Sequence, residues 1–126
     1  TDAAAVHAVR PEPERLASLC RRLEATGAYV FAPHPDGRRD HLVARQFPVD
    51  ADLVEDPATA VAAGALAAYL AQAAATPGWS AIEVDQGDAM GRPSRLRASA
   101  FAADGVVRRV QVAGRARFVT RETVRP

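Results

Sequence analysis

The sequence contains no lysine. All sixteen of its basic residues are arginine, and fifteen acidic residues leave a net charge of +1. That balance excludes the electrostatic footprint of a nucleic-acid binder, which needs an excess of clustered cationic side chains. Arginines cluster no further than the pairs Arg21-Arg22, Arg38-Arg39 and Arg108-Arg109, and a GC-rich coding sequence accounts for both the arginine usage and the abundance of alanine. Cys20 is the only cysteine, so an intrachain disulfide and a cysteine-based zinc cluster are excluded and a reducing, cytoplasmic compartment is expected. The alanine-rich run near residue 65 is too short and too alanine-heavy for a membrane span. Residues Thr1 to Val6 lack the basic start and apolar core of a signal peptide. His7, His34 and His41 show no metal-ligand spacing, and no P-loop, dinucleotide glycine pattern or Ser/His/Asp arrangement is visible. No metal and no cofactor are therefore expected.

What is present suits one compact domain over residues 1–126, with ordinary hydrophobic (48%) and charged (25%) content. Ala4 to Val9 reads as a short strand closed by Pro11 and Pro13. Leu16, Leu19, Cys20 and Leu23 recur at helical spacing and predict an amphipathic helix with Cys20 on its apolar face, stopped at Gly27. Residues 28–32 and 41–47 read as strands around a turn at His34-Pro35-Asp36-Gly37, where His34 is expected to be solvated. A long helix is expected from Pro57 to about Ala74, apolar on every side and therefore buried, with small side chains that let strands approach closely. Thr76-Pro77-Gly78 ends it, and Trp79 follows as an anchor over the sheet. The pattern then changes to period two: strands over 81–86, 96–102, 106–112 and 115–120, with turns at Ala103-Asp104-Gly105 and Ala113-Gly114. Consecutive hairpins predict an antiparallel sheet curled around one buried helix, in the α+β class.

Glu55-Asp56-Pro57 is the stretch where chemistry is expected. A proline suits the first turn of a helix, and the free amides of that turn, with the helix dipole, attract carboxylates and anionic ligands. Asp56 can serve as an N-cap or as a proton-transfer group. Glu55 can be a solvated charge, or the second member of a proton-transfer pair if burial raises one of the two pKa values. The run Gln86-Gly87-Asp88-Ala89-Met90-Gly91-Arg92-Pro93-Ser94 predicts a loop of set shape. It either connects strands or holds Arg92 to grip a carboxylate, and Met90 is expected to fill the core.

Several of these stretches together resemble a known family. Arg45-Gln46-Phe47, Glu55-Asp56-Pro57-Ala58-Thr59, Gly64-Ala65-Leu66-Ala67-Ala68-Tyr69-Leu70, Gln86-Gly87, Met90-Gly91-Arg92-Pro93-Ser94 and Val110-Gln111-Val112-Ala113-Gly114-Arg115-Ala116 follow in order. From about residue 14 to 120 they look like the C-terminal half of the phenazine-biosynthesis PhzF isomerases and epimerases. The resemblance implies a diaminopimelate-epimerase-like lobe, one of two, each a barrel-like sheet around a central helix. It implies a cleft at the facing helix N-termini, where a proton moves on a small carboxylate-bearing metabolite without metal or cofactor. Asp56 and Glu55 are then the expected catalytic residues, and Thr59, Ala60, Val61, Gln86, Gly87 and Arg92 the expected substrate-binding ones.

Two departures qualify that expectation. The family motif continues with Gly-Ser after Thr59, where this chain has Ala60 and Val61. The lobe that carries the family's glutamate base lies outside these residues. The chain is therefore expected to act with a separate N-terminal-lobe chain or as a homodimer, without membrane or nucleic-acid partners. The alternative is a binding or interaction module that retains the fold without the chemistry.

Overall fold

The computed structural model describes residues 2–49, 54–75, 77–118 and 120–122. Two short helices lead: α1 (Ala3–Ala8) and α2 (Pro13–Arg22). Strands β1 (Gly27–Pro33) and β2 (His41–Pro48) follow, then helix α3 (Ala60–Ala74) and strands β3 (Gly78–Gln86), β4 (Ser94–Ala103) and β5 (Val106–Gly114). The class is α+β.

The first segment is a helix, not the expected strand. Asp2 caps it by accepting the Ala5 amide at 2.8 Å, and three alanines in a row carry high helix propensity. In α2, Pro13 opens the first turn, Arg21 and Arg22 close the last, and Cys20 is buried, as its spacing predicts.

The five strands lie in the order β1-β2-β3-β4-β5. The sheet is mixed, which corrects the antiparallel expectation. β2 and β3 pair in parallel, His41 beside Glu83 and Ala44 beside Gln86, whereas the other three neighbouring pairs are antiparallel. The physical reason is α3. A strand that returns through a helix re-enters the sheet pointing the same way as the strand it left. Among the described residues no strand follows β5. Residues 115–118 are irregular, and Gly114, expected in a turn, ends β5 itself. The sheet order sets β1 and β5 at opposite edges, so these five strands do not themselves close into the barrel-like sheet that the family resemblance implies.

Helix α3 lies on one face of the sheet. Ala63, Leu66, Ala67 and Ala71 pack with Leu42, Ala44, Ile82, Val84, Leu96, Ala98 and Ala100. The close approach depends on small residues. A Cβ on Gly64 would stand 3.1 Å from methyl carbons of both Val110 and Val112. The helix is not buried all round, however. Val61 is 85% exposed and Tyr69 62%, because the five strands cover one side of the helix and leave the other open. Its start is also displaced. The helix begins at Ala60, with Thr59 as its N-cap, and it ends at Ala75 in the left-handed region. Pro57 stands outside, in the segment that leads in. Residue Thr76, expected in the helix stop, and residues 50–53 of the irregular approach lie outside the described residues.

On the opposite face, Val6 of α1 packs on Ala32 and Val43. Trp79 also projects to this side, half-exposed against Phe101 at 5.5 Å. Met90 is half-buried in a turn of 3-10 helix and belongs to neither core.

Candidate functional site

The N-terminus of α3 is held by a closed set of polar contacts centred on Gln86, the last residue of β3. Val84 and Gln86 alternate with Asp85 along the strand, so the Gln86 side chain turns towards α3. It is almost completely buried. Its Nε2 donates to the Asp56 carbonyl at 2.7 Å and to the Thr59 hydroxyl at 3.0 Å. Its Oε1 accepts from the Tyr29 hydroxyl at 2.9 Å and from the Thr59 amide at 3.4 Å. Each donor and acceptor of the amide thus has a partner, and the contacts fix which end is oxygen.

Thr59 does not cap the helix with its side chain. Its hydroxyl donates instead to Asp56 Oδ2 at 2.6 Å. Asp56 Oδ1 accepts the Ala58 amide at 3.3 Å, and the Asp56 amide donates to the Gln46 carbonyl at 3.0 Å, which ties the corner to β2. The half-buried Asp56 carboxylate is therefore oriented at the mouth of the helix. The first helical bond runs from Ala63 to Thr59. The amides of Ala60, Val61 and Ala62 are left with no protein acceptor among the described residues, as helix geometry requires. Burial, and then the charge of Asp56, push the Tyr29 phenol well above its ordinary pKa. Tyr29 stays a neutral donor. This corner can seat an anion on three amides beside an oriented carboxylate.

The loop after β3 completes the wall. Gly87 has φ +88°, and a Cβ there would overlap the Arg92 carbonyl and lie 2.9 Å from the Pro57 carbonyl oxygen. Only glycine lets the loop fold back this tightly. Ser94 then reaches the Pro57 carbonyl at 2.6 Å. Arg92 is exposed and pairs with no other side chain among the described residues. A groove of about 480 Å³ opens beside Thr59, between β1 and the exposed side of α3, with Tyr29, Phe31, Gln46, Val61 and Tyr69 among its walls.

The structure brings together Asp56, Thr59, Ala60, Val61, Gln86 and Gly87. It does not bring Glu55 to them. Glu55 is 8% exposed and forms a two-point ion pair with Arg45, at 2.9 and 2.8 Å. Arg45 Nη1 also donates to the carbonyls of Val6, His7 and Val9, at the C-terminal end of α1. Neighbouring residues in an extended segment point to opposite sides, so the pair expected to share a proton is divided between two faces of the sheet. Tyr29 and Gln46 belong to the corner and were missed by sequence reasoning. Tyr29 had no signal beyond its position in a strand, and Gln46 stood in the Arg45-Gln46-Phe47 stretch without a role assigned to it.

A second cluster lies on the far face. His34 and His41 stack with ring centres 3.9 Å apart and planes 19° from parallel. His41 is buried, with Nδ1 2.6 Å from Asp36 and Nε2 3.0 Å from Asp85. Asp85 is gripped by Arg95 at 2.6 and 2.8 Å. The hydrogen bond from His41, above all, holds the Asp36 carboxyl well below the ordinary carboxylate range, and that from Arg95, above all, lowers the Asp85 carboxyl. His34 is thus half-buried and stacked rather than solvated. The grouping is invisible in the spacing of the histidines, because the β1–β2 hairpin and the parallel β2–β3 pairing create it.

Comparison with known proteins places the fold. Residues 1–122 match the phenazine biosynthesis-like protein family, PhzC-PhzF. The chain belongs to this family. It is 34% identical over 128 aligned residues to an uncharacterized isomerase of Deinococcus radiodurans, a match that covers 99% of this chain and 40% of that protein. It is 42% identical over 78 residues to the trans-2,3-dihydro-3-hydroxyanthranilate isomerase of Pseudomonas aeruginosa, covering 62% of this chain and 28% of that one. A crystal structure of a PhzF-family phenazine biosynthesis protein from Bacillus anthracis superposes with a TM-score of 0.70 at 16% identity, over 90% of this chain and 43% of the other. The chain thus spans about two-fifths or less of the length of these family members. Among the described residues no helix is long and apolar enough to cross a membrane.

Proposed function

We infer that this chain contributes one wall of an isomerase site, in which a proton moves on a small carboxylate-bearing metabolite. The observation that carries the reading is the N-terminus of α3: three amides without a protein acceptor among the described residues, beside an Asp56 carboxylate oriented by Thr59. An isomerisation by proton transfer needs an anchor for the substrate's charge and acid/base groups on either side of the reacting carbon. The amides of Ala60, Val61 and Ala62 suit the anchor, and Asp56 suits the assisting acid/base. Two relatives that carry isomerase names support the reaction class. The side chains of Ala60 and Val61 are exposed, and the backbone amides supply the donors whatever side chain follows. Gln86 and Gly87 act as positioning residues: one orients Thr59 and Tyr29, the other lets the loop close on Pro57. Arg92 is free to meet a substrate carboxylate from solvent. Glu55, spent on Arg45, keeps the sheet and α1 together.

The opposite wall is a second lobe outside residues 1–126, of the diaminopimelate-epimerase-like kind that the family resemblance implies. It supplies the partner base and covers the groove between β1 and α3. The relatives' extra length is what such a lobe requires, whether it is joined to this chain, separate from it, or replaced by a second copy.

The test is deuterium incorporation from D2O into β-hydroxy and amino carboxylates, followed by mass spectrometry, with this chain alone and joined to the complementary lobe of a relative. Exchange is expected only with the second lobe. Asp56→Asn should lower it at least ~100-fold, the scale of one acid/base group. Exchange that is absent with both lobes present, or that Asp56→Asn leaves unchanged, would refute the role given to Asp56.

A further inference from the structure

The His34–His41 cluster has an organisation that packing alone does not demand. The two rings lie parallel, and both turn the Nδ1 edge towards Asp36. His34 Nδ1 is 3.2 Å from Asp36 Oδ1, and His41 Nδ1 is 2.6 Å from Oδ2. Both turn the Nε2 edge towards one oxygen of Asp85, at 3.7 Å from His34 and 3.0 Å from His41. We propose that His34 Nδ1, His41 Nδ1 and the Asp36 carboxylate form a binding site for a divalent transition-metal ion of the zinc or cobalt type, which pins the β1–β2 hairpin to β3.

Three observations carry this. The first is the donor set. Two imidazoles and one carboxylate, each offering an atom within 4.8 Å of the others, suit a four-coordinate ion with water in the open position.

The second is the outer shell. A metal-bound imidazole is ordinarily held by a carboxylate on its other nitrogen. Asp85 stands there for His41 and is itself fixed by two bonds from Arg95. The Asp36 amide donates to His34 Nδ1 at 3.2 Å, which selects the tautomer without a proton on Nδ1, and a bound ion takes the place of that hydrogen bond.

The third is charge. The ion pairs around the two rings hold Asp36 and Asp85 against Arg95. Two carboxylates against one guanidinium leave a formal −1 before the imidazoles are counted. A cation is therefore met by a net negative cluster with both rings neutral.

Two adjustments are required: the ion displaces the Asp36 amide from His34 Nδ1, and the rings must turn. An ion bonds in the plane of each ring, so two stacked rings must open towards a wedge. His41 is fixed in β2, and His34, in the hairpin loop and half-buried, supplies the rotation. The site lies on the face of the sheet away from α3 and is independent of the Asp56 corner.

The experiment is titration of the full chain with Zn2+ by calorimetry and with Co2+ by visible absorption. One equivalent should bind with micromolar affinity. The Co2+ bands should be those of a four-coordinate ion, and Tm should rise with the metal. His34→Gln and Asp36→Asn should each weaken binding at least tenfold, and Asp85→Asn, through the outer shell, about 10–100-fold. Both His34 and Asp36 are partly exposed, so these variants should keep the fold, with circular dichroism as the check. His7→Gln, on α1, should change nothing. Long-range 1H–15N spectra of the imidazoles should report metal at Nδ1 of both rings. The proposal is overturned by the absence of stoichiometric binding at millimolar metal, by affinity unchanged in His34→Gln and Asp36→Asn, by loss of binding in His7→Gln, or by metal at Nε2.

Discussion

Replacing Glu55 tests whether it belongs to the chemistry or to the frame. Its carboxylate and the Arg45 guanidinium have side chains only 9% and 7% exposed. Glu55→Ala removes one half of a buried pair and leaves the Arg45 charge without its counter-ion, for which about 3–5 kcal/mol is the usual cost. Three α1 carbonyls still accept from Arg45 Nη1 and solvate part of the charge, so the lower end, about 3 kcal/mol, is expected. With an m-value of about 2 kcal/mol/M, the urea midpoint should fall by about 1.5 M. The decisive variant is the double replacement Arg45→Met/Glu55→Leu. It removes both charges, and methionine puts an unbranched apolar side chain in place of the guanidinium, whose carbon stands 4.9 Å over the Phe47 ring. The carbonyls released by Arg45 keep other donors: Val6 has the Val9 amide, and His7 and Val9 have the Arg10 guanidinium. The double variant should stand within about 1 kcal/mol of the native chain. The cycle, with Arg45→Met and Glu55→Leu as its single variants, should give a coupling energy of at least ~3 kcal/mol. Single costs that simply add, to within about 0.5 kcal/mol, would refute the ion-pair reading. In the two-lobed protein the double variant should also retain isomerase exchange, and loss of exchange in a folded double variant would return Glu55 to the catalytic group.

Other consequences are as direct. Gln86→Leu strands the Tyr29 hydroxyl and the Asp56 carbonyl in a buried site and should cost about 2–3 kcal/mol by denaturant melt; a cost near zero would mean that water replaces the amide. Gly87→Ala forces a side chain into φ +88° and against the Arg92 carbonyl, and a loss above ~2 kcal/mol is expected in thermal unfolding. The folded chain holds the Tyr29 phenol above its unfolded value, so the stability this confers is complete below about pH 10 and is lost as pH rises beyond it. In Tyr69→Phe, Tyr29 is the remaining tyrosine, and its phenolate absorbance should appear only together with the loss of circular dichroism. Ionisation at pH 10 with the fold intact would contradict the burial argument.

The elements that sequence reasoning placed well are those whose pattern is local. The amphipathic spacing of Leu16, Leu19, Cys20 and Leu23 found α2, and the alternation after Trp79 found β3 to β5 with the correct Asp104-Gly105 turn. It failed where distant contacts decide. Ala4 to Val9 has the composition of either element, and the choice was made by Asp2 at one end and by Arg45, thirty-six residues beyond Val9, at the other. The parallel join of β2 to β3 could not be read from hairpin counting, since the crossover through α3 specifies it and no turn motif records it. The open side of α3 was equally hidden. An alanine-rich helix carries no polar stripe to mark which face the sheet leaves bare.

The same limit explains the two side-chain clusters. Glu55 and Asp56 are adjacent in sequence, and adjacency invites the idea of a shared proton. In an extended segment, adjacency means opposite directions. Asp56 turned to the helix that starts four residues later, and Glu55 to an arginine ten residues earlier. His34 and Asp36 are two residues apart in a loop, His41 begins the next strand, and Asp85 lies forty-four residues further on. These four meet because a hairpin and a parallel strand pair converge on one face of the sheet. Side chains that meet this way have no spacing signature. The helix start near Asp56 was legible, three residues off, because such a start carries its own signals in consecutive residues. The histidine cluster was not, because its chemistry exists only once the sheet has formed.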